Sequence, residues 1–258
     1  MEDYTCPRAP IRGYNRYLML SRDLLRREIN SRLSNRLGLT LTVGLALGLL
    51  LSLGVIYLFA EITEEVVEGE SRRFDILTLL WIDTHSPDWL DAPMRVVTAL
   101  GYYWVVLPLL AVSAYAFYRR GRRISAALLV VSTCGGVVLT TALKSVFQRA
   151  RPELFESGYT ASFYSFPSGH ATVAVGFYGT LAILIAWRLQ GFRRWAVVAA
   201  GFFLVLLIGY SRMYLGVHYP TDILAGYLAA PLWVGTVTLA YLLWRIVRGP
   251  KSRHGEEG

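Results

Sequence analysis

Cysteine is scarce in this 258-residue sequence, with two, Cys6 and Cys134. Cys6 lies in a polar amino-terminal stretch and Cys134 inside an apolar run, so neither a disulfide framework nor a zinc site is expected. Charge is also sparse, at 17% of residues. The first apolar run begins near residue 37 and is longer than the core of a secretory signal, so no cleavable signal peptide is expected.

Apolar residues fill the space that charge leaves. The chain is 54% hydrophobic with a mean hydropathy of +0.42. Six runs stand out, at roughly 37–60, 95–117, 124–146, 169–188, 195–212 and 222–246. Each is long enough to cross a bilayer as a helix. Backbone groups in lipid must be satisfied within their own segment, which favours helices over open strands. The expected fold is therefore all-α and polytopic, with six transmembrane helices and a core helical bundle. Ahead of the second run, "SPDWLDAPM" reads as a turn and a short interfacial helix.

The net charge of +8 could suggest nucleic acid. The basic residues lie instead beside the apolar runs, so membrane lipids are the expected partners and nucleic acid is not. Residues 1–36 carry eight arginines, "YRRGRR" (118–123) four, "RLQGFRR" (188–194) three, and the stretch from Arg245 four basic residues. These fall in alternate connections, which the positive-inside rule assigns to the cytoplasm. Residues 61–91 hold nine acidic residues and two arginines, and read as an outer loop. Both termini are then cytoplasmic, while 147–168 and 213–221 face outward. Three parts are expected: a basic arm (1–36), a six-helix membrane domain (37–246) and a cytoplasmic tail (247–258). In the arm, Leu18, Leu25, Ile29 and Leu33 share a helix face. It reads either as a basic helix on anionic lipid or as a solvated charged segment.

Ionisable residues gather at the outward ends of spans three to six. They are Lys144, Arg149, Arg151, His170, Arg212, His218 and Asp222. Charge near membrane depth is costly and faces a cavity or a partner. Lys144 and Arg151 are seven apart and project from one helical face. Arg149 lies off that face and reads as a snorkelling side chain. In "FPSGH", Ser168 is a good N-cap and Gly169 admits close approach of a ligand to the first N–H groups of a helix, which favours an anion. His218 and Asp222 are four apart, so the carboxylate can accept from one imidazole nitrogen and leave the other to act as a nucleophile. Each feature alone has an ordinary explanation. A lone interfacial histidine is usually just hydrogen-bonded, and an Asp near a helix start often only caps it. Three cations, two histidines, one carboxylate and an amide-lined helix start on one side call for a tetrahedral oxyanion and for phosphoryl transfer. Tyr102, Tyr103, Trp104, Tyr159, Phe163 and Tyr164 read as an outer aromatic belt.

"KSVFQRARP" (144–152), "PSGH" (167–170) and "SRMYLGVHYPTD" (211–222) resemble the three signature motifs of the type 2 phosphatidic acid phosphatase superfamily, complete and in order. The resemblance covers about 140–225, and the span layout extends it to about 37–246. It implies that His218 attacks phosphorus, that Asp222 orients His218, and that His170 protonates the leaving oxygen and then activates water. It further implies that Lys144, Arg151, Arg212, Ser168 and Gly169 hold the phosphate oxygens. No metal or other cofactor is implied, and no extra carboxylate cluster in the sequence offers an Mg²⁺ site. The expected substrate is a lipid phosphate or pyrophosphate, with undecaprenyl pyrophosphate first. Phosphatidylglycerol phosphate, phosphatidic acid and diacylglycerol pyrophosphate are alternatives. A lipid phosphotransferase would use the same phosphohistidine. A transporter or non-catalytic lipid binder would keep the cations without needing His170, His218 and Asp222 together. Oligomeric state is not legible in the sequence.

Overall fold

The computed structural model describes residues 43–44, 46–154 and 163–248, without the side chains of 238, 241–242 and 245–248. The arm 1–36, the start of the first run, Tyr159 and the tail beyond 248 lie outside the described residues. The chain divides after Leu51, and the second unit, Ser52–Gly258, carries all the contacts described below. Every regular element among the described residues is helical.

Helix α1 (Ala46–Glu68) continues past the expected end of the first run at residue 60. Residues 61–68 are mostly Glu, Ile and Val, and nothing in them breaks a helix until Gly69, whose φ of +80° suits it to reverse the chain. Helix α2 (Arg72–His85) follows at once. The expected acidic loop 61–91 is thus mostly helix. Asp75, Leu79 and Ile82 line the buried face of α2 at helical spacing, and Ser86-Pro87 end it.

A 3-10 turn (Asp88–Leu90) leads into α3 (Asp91–Ala99), the short helix expected from "SPDWLDAPM". The second run divides here: α3 and α4 (Tyr103–Arg119) meet at a bend of 48°. The remaining helices keep close to their expected bounds. They are α5 (Arg123–Phe147), α6 (Gly169–Ala174), α7 (Thr180–Ala186), α8 (Gly191–Tyr214) and α9 (Pro220–Arg248). One π-helical turn (Val175–Gly179) joins α6 to α7, so the fourth run stays a single span of 18 residues.

Four helices among the described residues are long and apolar enough to cross a bilayer, or five with the bent pair. Their outward surfaces are apolar: Val138 and Phe203 are each about two-thirds exposed. In lipid, unlike water, such exposure is unstrained. The interior is built from α4, α5 and the α6–α7 span around Val106, Leu110, Phe117, Leu129, Phe177 and Leu184. α9 locks onto α5 through Trp233, whose indole N–H donates to the Val131 carbonyl at 2.8 Å. This packing brings the carboxyl ends of α5 and α8 and the amino ends of α6 and α9 to the same end of the bundle.

Candidate active site

Lys144 closes the buried face of α5, following Gly136 and Thr140 at intervals of four. Its Nζ donates to the carbonyls of Tyr164 and Ser165. Gln148, in the left-handed conformation (φ 49°), then turns the chain out of α5. Beyond it, Arg151 donates from Nε to Phe163 O (2.8 Å), from Nη1 to Val217 O (2.7 Å) and from Nη2 to Tyr164 O (3.3 Å). Nη1 of Arg151 also stands 3.2 Å from His218 Nε2.

The "PSGH" stretch opens α6. Ser168 caps it, with Oγ accepting from the Ala171 N–H at 3.5 Å, and its own N–H donates to the Asp222 carbonyl at 2.9 Å. This close seat depends on Gly226 of α9, where a Cβ would lie 2.6 Å from the Ser168 carbonyl oxygen. Gly169 is different. A Cβ there would meet its nearest protein atom, Thr140 Cγ2, at an unstrained 3.8 Å, so the packing of the protein does not require glycine. His170 lies edge-on to the Tyr102 ring, with centroids 4.7 Å apart. Its Nε2 is buried and has no hydrogen-bond partner among the described residues. Tyr102, expected in the aromatic belt, therefore also shapes this pocket.

Arg212 is 2% exposed near the end of α8, and its Nη1 donates to Thr98 Oγ1 of α3 at 2.7 Å. A turn through 215–219 returns the chain to α9 with His218 buried on it. His218 Nδ1 lies 3.3 Å from Asp222 Oδ2, which also accepts the Tyr219 N–H at 2.9 Å. Burial, and after it the charges of Arg212, Arg151 and Lys144, hold the His218 imidazole well below the ordinary histidine range. All the residues singled out in the three motifs thus gather at one end of the bundle.

Arg149 departs from its expected snorkelling role. Its Nη2 lies 2.7 Å from Asp75 Oδ2 and its Nη1 2.6 Å from Asp222 Oδ1, while its guanidinium stacks on Tyr219 at 4.3 Å. The reason is chemical: a guanidinium fork satisfies two buried carboxylates better than it serves the headgroup region. The sequence places Asp75 in an outer loop, whereas the structure places it on α2. Its signal was present as the helical spacing Asp75, Leu79, Ile82, which sets a carboxylate on an otherwise apolar face. Thr98 and Thr221 carried no signal of their own.

Fold and pocket define a multi-pass helical membrane protein with buried cations and two histidines at one end. The comparisons with known proteins give that class its family. The PAP2 superfamily model matches residues 125–246. Phosphatidylglycerophosphatase B of Bacillus subtilis is 33% identical over 62% of this chain and 75% of its own length. An undecaprenyl-diphosphatase of Sulfolobus acidocaldarius is 26% identical over 72% of this chain and 87% of its own. The crystal structure of a transmembrane PAP2-type phosphatidylglycerolphosphate phosphatase from Bacillus subtilis superposes with a TM-score of 0.67. It covers 78% of this chain and 98% of that one at 23% identity, a likeness of fold. The chain belongs to the PAP2 superfamily, and it is a membrane phosphatase.

Proposed function

We propose that the protein hydrolyses a lipid phosphate or pyrophosphate at the outer membrane face, without a metal, through a phosphohistidine on His218. One observation carries this reading. Arg151 has only donors to offer, which favours the tautomer with the lone pair on His218 Nε2, 3.2 Å from Arg151 Nη1. Nδ1 then bears the proton and faces Asp222 at 3.3 Å. That is the tautomer a nucleophilic imidazole needs, with its carboxylate already behind it.

The steps follow from this placement. The Nε2 lone pair bonds to phosphorus as the bond from phosphorus to the leaving oxygen breaks. His170 gives its proton to that oxygen. His170 then takes a proton from water, whose oxygen attacks phosphorus and breaks the P–N bond, releasing inorganic phosphate. Asp222 stabilises the charged imidazole between the two steps. Lys144, Arg151 and Arg212, with the Ser168 hydroxyl and the Gly169 N–H, hold the phosphate oxygens as negative charge develops. Support for the outward-facing site, for two cytoplasmic termini and for a six-span domain over 37–246 comes from the alternation of arginine-rich and acidic connections.

Undecaprenyl pyrophosphate is the favoured substrate, supported by the Sulfolobus relative and by the outward site. Phosphatidylglycerol phosphate is the second reading, supported by the Bacillus relative. Phosphate release by detergent-purified protein in excess EDTA decides both. The panel holds these two lipids, phosphatidic acid and diacylglycerol pyrophosphate. Release that persists in EDTA and vanishes in His218→Ala is expected. Near-wild-type turnover by well-folded His218→Ala would overturn the phosphohistidine, and phosphate found on a second lipid would make the enzyme a phosphotransferase.

A further inference from the structure

Two carboxylates, Asp75 on α2 and Asp222 on α9, are both fully buried and share one guanidinium, that of Arg149. The three residues come from separate parts of the chain. Arg149 is held through both terminal nitrogens and across its face. Nη2 meets Asp75 at 2.7 Å, Nη1 meets Asp222 Oδ1 at 2.6 Å and Thr221 Oγ1 at 2.8 Å, and the plane rests on Tyr219. Thr221 in turn ties α9 to Asp75, its N–H reaching Oδ1 at 3.1 Å and its hydroxyl Oδ2 at 2.7 Å.

Geometry and charge follow from this arrangement. With Oδ1 of Asp222 held by Arg149, Oδ2 is left for the His218 Nδ1 and the Tyr219 N–H. The carboxylate cannot rotate away from the imidazole. The charge count matters as well. One guanidinium between two carboxylates leaves this triad with a net negative charge, next to the imidazole that gains positive charge in the proposed reaction. If Asp75 lost its charge, Arg149 would pair with Asp222 alone and reduce what Asp222 offers His218. Stability gives no sufficient reason for such a network, since buried ion pairs are often replaceable by apolar groups without loss.

We propose that Asp75 and Arg149 are positioning residues that aim Asp222 at His218 and preserve its charge for it. This rests on the phosphohistidine reading for its kinetic consequence but not for its structural one, and the test separates the two. Full-length protein in detergent is compared as wild type, Asp75→Asn, Asp222→Asn and the double variant, with Arg149→Lys as a second probe that keeps charge but loses the fork. Turnover and KM are measured on the lipid that the wild type hydrolyses. The ring nitrogens of His218 are observed by ¹⁵N NMR in the absence of substrate. For Asp75→Asn, a fall in kcat of about 10- to 100-fold with KM unchanged is expected, by analogy with the range for groups that orient metal-bound histidines. The fall should disappear in the Asp222→Asn background, because Asp75 acts through Asp222. The His218 Nδ1 signal should move toward that of Asp222→Asn. Full kcat in folded Asp75→Asn, or the same fold-loss in both backgrounds, would overturn the proposal. The NMR arm needs no turnover: an unmoved His218 signal in Asp75→Asn and Arg149→Lys would overturn the pairing even if the enzyme reading had failed. If Asp75→Asn does not fold, Arg149→Lys carries the same comparison.

Discussion

In the proposed reaction His218 attacks as a neutral imidazole, so its protonation sets the acid limit of the enzyme. Its folded value is lowered by burial and then by Arg212, Arg151 and Lys144. It therefore stays neutral as pH falls past about 6.5, where an exposed histidine takes up its proton. An NMR titration of labelled histidine, assigned with His218→Ala, is expected to show no protonation of His218 at that pH. Arg151→Met removes one of the cations and should move the transition upward. A His218 that titrates at or above the ordinary value in the wild type would contradict this. Asp222→Asn should cost on the order of 10⁴-fold in kcat, as for an aspartate that fixes an imidazole tautomer. At this scale the sequence was legible where spacing was local. His218 and Asp222 stand four apart across a helix start, and this alone put them on one side. Arg149 was not legible, because its partner Asp75 is 74 positions away and lay in a segment read as loop.

Helix ends do most of the positioning in this fold. α6 begins where Gly226 lets it touch α9, and the bend between α3 and α4 falls at the residues that face His170. Gly101 stands in that bend, and a Cβ there would lie 2.5 Å from His170 Cδ2. Gly101→Ala should push the imidazole aside and lower kcat by on the order of 10²-fold, the cost of a displacement near 1 Å. Thermal stability should change much less. Unaltered turnover in folded Gly101→Ala would argue against His170 as the proton donor. Elements with long apolar runs were legible to within a few residues, because hydropathy alone bounds them. α2 was not, because its run is short and mixes charge with one buried face. The bend at 100–102 is not legible in the sequence either, as packing rather than composition makes it.

At the scale of the whole molecule the apolar outer surface and the buried polar end divide the work between lipid and chemistry. Composition made the fold class legible, while the number of spans stays a proposal from charge and hydropathy. The orientation is testable with single cysteines in a background of Cys6→Ser and Cys134→Ser. Asp88→Cys, in an acidic connection, should react with a membrane-impermeant maleimide in intact cells. Arg120→Cys, between α4 and α5, should react only after the membrane is opened. The reverse pattern would turn the protein over and place the site on the cytoplasmic face.

Two cations of the site, Lys144 and Arg151, are already engaged by main-chain carbonyls, those of Phe163, Tyr164, Ser165 and Val217. In the proposed reaction an arriving phosphate exchanges with acceptors the protein itself supplies. Its binding strength is the difference between two sets of hydrogen bonds rather than the sum of one. In the proposed reaction the exchange favours catalysis only where the transition state competes with those carbonyls better than the bound substrate does. When the spent anion leaves, the same carbonyls are in place to take back the donors it gives up.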